Sequence, residues 1–229
     1  MTDTLAIIKH CEERIEEALQ SSEIVGELDP AFAVYRAVES ELSGMGVLPE
    51  HAAESERQRV LAYCLMRLGN ILRQMGEPEK ALELSEQEIL AARASGDELT
   101  LARSLMSNGT NRLVSGEIER GSAMLEEARS RFERGDGYDF KQGLGWCWIL
   151  QADLGNAGFI ESQPIQIIQA AEHALEILLP IENWPGVARA YAARAQVYEG
   201  IGEDVAAAED RVEQHRYEAR MVSSEGSAA

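Results

Sequence analysis

The stretch "MGEPEKALEL", Met75 to Leu84, ends one helix and begins another with almost no loop between them. Gly76 supplies the left-handed residue that a helix C-terminus favours, and Pro78 suits the first turn of the helix that follows. Two helices joined this tightly run antiparallel. The pattern returns as "SGEIERGSAML" at Ser115 and as "IGEDVAAAED" at Ile201. Gly69 and Gly109 are 40 residues apart, as are Gly76 and Gly116, while Gly116 to Gly202 is 86, close to two further periods. The turns "ARASGDE" at Gly96-Asp97 and "RFERGDG" at Gly135-Asp136 also agree. Self-similarity at a fixed period marks a stacked array of repeats.

Apolar residues recur at three- and four-residue spacing almost throughout, which predicts about ten helices in five hairpins. The first covers roughly residues 3–20, carried by Ile7, Cys11, Ile15 and Leu19. Asp29-Pro30 reads as an N-cap followed by a first-turn proline, opening a helix that closes near Gly44. A long helix runs from after Pro49 to Met75, followed by helices at roughly 78–94, 98–115, 117–134, 138–155, 164–179, 185–201 and 203–221. Residues 1–222 are expected to form a single all-α domain, with 1–50 a hairpin of undefined repeat type and 223–229 a frayed tail.

The residues of "LMRLGNILRQMGEPEKALEL" resemble the tetratricopeptide repeat family at Leu65, Leu68, Gly69, Leu72, Gly76 and Ala81. A second copy matches at Leu105, Gly109, Gly116, Gly121, Leu125 and Ala128, although Asn108 and Arg112 stand where the family has apolar residues. A last copy matches at Tyr191, Ala195, Tyr198, Gly202 and Ala207. The resemblance is clearest over 57–134 and 185–221, and no single register fits "GWCWILQADLGNAGF" within 138–179. It is similar to the longer-period, 40-residue variants. The resemblance implies an α-solenoid of antiparallel hairpins, a TPR-like right-handed superhelix, whose first helices line a groove that holds a protein or peptide.

The formal net charge of −19 sets the chain against phosphate backbones, so nucleic acid is not an expected partner. No apolar run approaches the ~20 residues needed to span a bilayer, and no membrane partner is expected. Cys11, Cys64 and Cys147 show no paired spacing and read as buried free thiols in a reducing compartment. With an N-terminus unlike a signal peptide, a cytoplasmic location is expected.

Charge is sorted between the helices. Segments 57–75, 99–116 and 185–198, all first helices, carry Arg57, Arg59, Arg67, Arg73, Arg103, Arg112, Arg189 and Arg194 and no acidic residue. The adjoining second helices are acidic, with Glu77, Glu79, Glu83, Glu86 and Glu88, then Glu117, Glu119, Glu126 and Glu127. Two readings stay open. A groove with exposed guanidinium forks would take acidic segments; alternatively the arginines pair with glutamates of neighbouring helices. The family register places Tyr63, Met66, Asn70 and Arg73 on the groove, then Arg103, Met106 and Thr110, then Arg189 and Gln196. The carboxylate-clamp variant of the family needs further lysines and a second asparagine that are missing here, so its ligands are not implied.

Trp146, Trp148 and Trp184 are candidate aromatic anchors for a partner, against core packing as the alternative. His10, His51, His173 and His215 stand alone, and no metal, cofactor or catalytic motif is present, so no cofactor, no metal and no enzymatic activity are expected. The "GLGW" at Gly143 reads as a helix with small packing residues. A non-enzymatic scaffold or adaptor is the expected function. Its alternatives are a peptide-sensing regulator, an enzyme or small-molecule site within 138–184, and self-association through the end of the array into a homo-oligomer.

Overall fold

The computed structural model describes residues 2–225, and all regular structure among them is helical. The helices are α1 (Thr2–Ala18), α2 (Leu28–Gly44), α3 (His51–Gln74), α4 (Pro78–Ser95), α5 (Glu98–Val114) and α6 (Ile118–Arg134). They continue as α7 (Tyr138–Asn156), α8 (Pro164–Leu178), α9 (Trp184–Ile201) and α10 (Asp204–Glu225). A π-helical turn, Leu19–Glu23, extends α1. The predicted tail at 223–229 overlaps the end of α10, and its last four residues lie outside the described residues.

One turn closes all five hairpins. After α3, Gly76 sits at φ 79°, its N–H donates to the Arg73 carbonyl at 3.1 Å, and Glu77 N–H reaches back to Leu72 O at 2.8 Å. The second bond spans five residues, which is the six-to-one closure of a helix that ends on a left-handed residue. The same long bond joins Glu27 to Ser22, Glu117 to Arg112, Phe159 to Leu154 and Glu203 to Tyr198, at 2.8–2.9 Å. Each follows a glycine at positive φ, namely Gly26, Gly116, Gly158 and Gly202. The register that the sequence left open over 138–179 is therefore set by Gly158, 42 residues after Gly116 and 44 before Gly202.

Two sequence expectations need correction. Asp29 is not an N-cap: α2 begins at Leu28, so Asp29 sits in the first turn, where its charge favours the helix N-terminus. Glu88, grouped in the sequence with the other acids of the second helix, is not on the surface with Glu79, Glu83 and Glu86; it is 1% exposed.

The chain divides into two compact units, Met1–Met124 and Leu125–Ala229. In the first, α1, α2 and α3 enclose Ile8, Cys11, Ile15, Tyr35, Val38, Leu42, Val60, Cys64, Leu68 and Ile71. Burying one such aliphatic side chain stabilises the fold by about 2 kcal/mol. In the second unit, Ile149, Leu175, Leu178, Val187 and Tyr217 form one cluster, while Ala152, Ile167, Ala171, Ala193 and Val197 form another. The "GLGW" glycines let helices approach. A Cβ on Gly143 would stand 2.2 Å from the Phe132 ring, and one on Gly145 would stand 2.4 Å from the Leu178 side chain. The free thiols Cys11, Cys64 and Cys147 are all buried, and burial pushes Cys64 and Cys147 up to about 12.

Candidate binding face on α3 and α5

Tyr63, Met66, Asn70 and Arg73 follow one another at helical spacing along one face of α3, and all four are half-buried. Arg103 and Met106 form a matching half-buried pair on α5. Thr110, one step further, is buried, and its hydroxyl donates to the Met106 carbonyl at 2.9 Å. The two helices lie against each other within the first unit.

Most arginines on this face already hold an acid. Arg59 donates to Glu12 of α1 at 2.7 Å and to Glu56 at 2.8 Å. Arg67 forks onto Glu23, which the π-helical turn carries inward, and Tyr35 donates to the same carboxylate at 2.8 Å. Burial, and then the Glu16 carboxylate, push the Tyr63 phenol up. Glu12, Glu16 and Glu23 thus run beside Arg59, Tyr63 and Arg67. Arg57 is buried, bonded to Glu54 and to the Leu42 carbonyl at 2.9 Å. Its guanidinium, with the Leu48 N–H and Gln58 also helping, holds Glu54 down at about 2. Arg112, 3% exposed, donates to Glu117 at 2.6 Å. For Arg59, Arg67 and Arg112 the pairing reading of the sequence holds, whereas Arg57 pairs with an acid of its own helix.

Arg73 differs. Its Nε is buried without a hydrogen-bond partner, and burial alone draws its pKa down. Guanidinium stays charged under any ordinary condition, so a cation with unused donor capacity sits at the end of the stripe. Ser107 Oγ and both amide atoms of Asn111 on α5 are likewise buried and unpartnered. Asn111 packs beside Gly69, where a Cβ would meet its Nδ2 at 3.7 Å, and Gly69 lies one turn before Arg73.

Beneath this face is a polar layer. Asn108, 0% exposed, donates to Glu88 of α4 at 2.8 Å and to the Ser104 carbonyl at 3.0 Å. Burial raises Glu88 well above the ordinary carboxylate pKa, opposed by hydrogen bonds from Ser104 and Asn108. Glu88 Oε1, Asn108 Oδ1 and Arg112 Nε lack partners. The sequence signal for this layer was the pair of departures from the repeat pattern at Asn108 and Arg112; nothing in the pattern marked Glu88, Ser107 or Asn111. A separate groove of about 280 Å³ is lined by Phe32, Arg36, Leu72, Lys80, Glu83 and Leu84. Its two cations are held by Glu39 and Glu77 of the chain, at 3.1 and 2.6 Å.

The remaining candidates lie in the second unit. Arg189 donates to Asp153 at 2.9 Å, and Gln196 is exposed. All three tryptophans are half-buried and engaged. Trp146 and Trp184 pack on the Leu178 cluster, and Trp184 stacks on Tyr217 at 5.5 Å. Trp148 lies between the His173 ring at 4.8 Å and the Arg129 guanidinium at 4.6 Å. Among the described residues no three His, Cys, Asp or Glu side chains gather as a metal site, and no helix is long and apolar enough to cross a membrane.

No protein-family model matches the chain, and no curated protein matches it. Solved structures do. The crystal structure of BtubC (BKLC) from P. vanneervenii is 16% identical with a TM-score of 0.59, over 96% of this chain and 93% of that one. The TPR-like repeats of a putative kinesin light chain from Podosopora anserina are 14% identical with a TM-score of 0.53, over 93% of this chain and 97% of theirs. The fold is TPR-like. It is an all-α solenoid in class, as the glycine spacing and hairpin pattern predicted. At this level of identity the likeness speaks for the fold alone.

Proposed function

We propose that the chain is a cytoplasmic, non-enzymatic scaffold that holds an acidic peptide segment of a partner protein on the α3–α5 face of its first unit. The observation that carries this reading is Arg73, a cation whose buried Nε has no partner. A ligand carboxylate would pair with the outer end of this half-buried guanidinium. Tyr63, Met66 and Met106 supply apolar contact beside it, and Asn70 and Arg103 complete the polar edge. Thr110 is left out, since its hydroxyl is engaged within its own helix. The face is formed before any ligand arrives, so binding requires little ordering of the receptor.

Salt acts in two directions on such binding. The net charge of −19 repels an acidic ligand at long range, so screening speeds association. The contact at Arg73 is attractive, so screening also speeds dissociation. The test is an array of peptides of about a dozen residues, acidic and neutral, followed by titration calorimetry of the best binders. Acidic peptides should bind, and Arg73→Ala should weaken them about tenfold or more. Arg189→Ala, in the other unit, should leave them unchanged. Equal binding of the neutral series would remove the acidic preference, and indifference to Arg73→Ala would remove the site.

A further inference from the structure

We propose that α10 is a docking surface for a second copy of this chain, joined antiparallel about a two-fold axis. Among the residues whose burial is described, the inward face of α10 buries Ala207, Asp210 and Tyr217, whereas α8, its counterpart in the preceding hairpin, buries seven residues. The opposite face of α10 carries Val205, Ala208, Val212, His215 and Ala219. All five are exposed, Val205 at 75% and Val212 at 66%. They recur at alternating three- and four-residue steps, the spacing of a helix-pairing seam.

The charges beside this seam choose the occupant. Glu209 and Arg216 lie along one edge, and Arg211 and Glu218 along the other. Set two copies antiparallel with Val212 of one beside His215 of the other. Ala208 then meets Ala219, Glu209 meets Arg216 and Arg211 meets Glu218 of the second copy. The two-fold axis repeats each contact, giving four ion pairs of opposite sign. A parallel pairing would set Arg211 against Arg216 and Asp204 against Glu209, like charge on like. The helix edge is thus complementary to itself in one direction only. Glu209 takes part in no ion pair among the described residues, whereas Arg211 also holds Glu199 at 2.9 Å and Arg216 lies 3.3 Å from Glu213. The Glu209–Arg216 contact is therefore the more telling of the two.

The seam from Val205 to Ala219 is about 22 Å long. One helix against one helix buries an area at the low end of stable interfaces, which points to a dimer with a dissociation constant on the order of 10 µM. Sedimentation velocity of the 229-residue chain across that range tests it. The expected result is a monomer–dimer equilibrium that Val212→Asp abolishes with helical circular dichroism intact. Glu209→Arg and Arg216→Glu should each weaken association about tenfold. The double variant Glu209→Arg with Arg216→Glu, which swaps both signs in one chain, should restore it to within about threefold of the parent. A monomer throughout the range, growth beyond a dimer, indifference to Val212→Asp, or failure of the double variant to recover would overturn the proposal. This surface lies on the second unit, so its failure leaves the peptide face of the first untouched.

Discussion

The two units share one kind of hairpin but fill it differently. In the second, the buried interior is alanine, aliphatic and aromatic, and its buried polar side chains are paired. Asn183 accepts from Gly186 N–H at 2.9 Å and caps α9, and Asp210 takes both arms of Arg194 at 2.7 and 2.8 Å. In the first, α4 and α5 bury Ser85, Glu88, Ser104, Asn108, Asn111 and Arg112. All the buried side-chain atoms without a partner among the described residues lie there, on α3, α4 and α5. An unmade buried hydrogen bond costs about 1–3 kcal/mol, so such atoms are kept against a gradient of stability. The contrast separates a region built for packing from one whose buried polar atoms are partly unpaired, and the proposed peptide face belongs to the unit that holds them.

The largest test of the contrast is Leu178→Ala. This side chain is fully buried between Gly145 and Gly186, so its loss should destabilise the second unit by roughly 3 kcal/mol, read as faster amide exchange in α7–α9. Next, Asn108→Ala removes the donor that faces Glu88 and should cost the first unit roughly 2 kcal/mol in denaturant unfolding. Glu88→Gln sharpens this through pH. With its pKa raised in the fold, the stability that neutral Glu88 contributes is full below the ordinary carboxylate value and is lost as pH rises through the raised one. Amides of α4 and α5 should therefore lose protection with rising pH in the parent chain and keep it in Glu88→Gln. Glu54 runs the other way. Its stability is present above the ordinary carboxylate value and fades as pH falls through about 2. Asn183→Ala should cost about 1 kcal/mol as a lost helix cap. Arg73→Met changes sign: it should raise the melting stability of the first unit by about 1 kcal/mol, because it removes a buried Nε that has no partner.

The fold was legible because its signals are local. Helix periodicity and the glycine after each first helix do not depend on what lies across the unit, so α4 through α10 fall within a few residues of their predicted bounds. Gly158 was missed because Phe159 replaces the glutamate that follows the other turn glycines. The site was less legible because it depends on pairing between distant segments. That Arg59 and Arg67 meet Glu12 and Glu23, 47 and 44 residues away, has no local signature. Arg73 looks like its siblings in sequence and is distinguished only by having no acid across from it. Glu88 reads as one more charge on an acidic helix until Asn108 is seen facing it.

The shared six-residue joint after each first helix has an evolutionary consequence. It is built from backbone groups of adjacent residues and asks nothing of the rest of the molecule, so a helical pair carries its own fastening wherever it is inserted. Gene duplication or deletion can then lengthen or shorten such a chain by whole pairs. The buried helix surfaces lie outside that joint, and it is there that the two units of this chain differ.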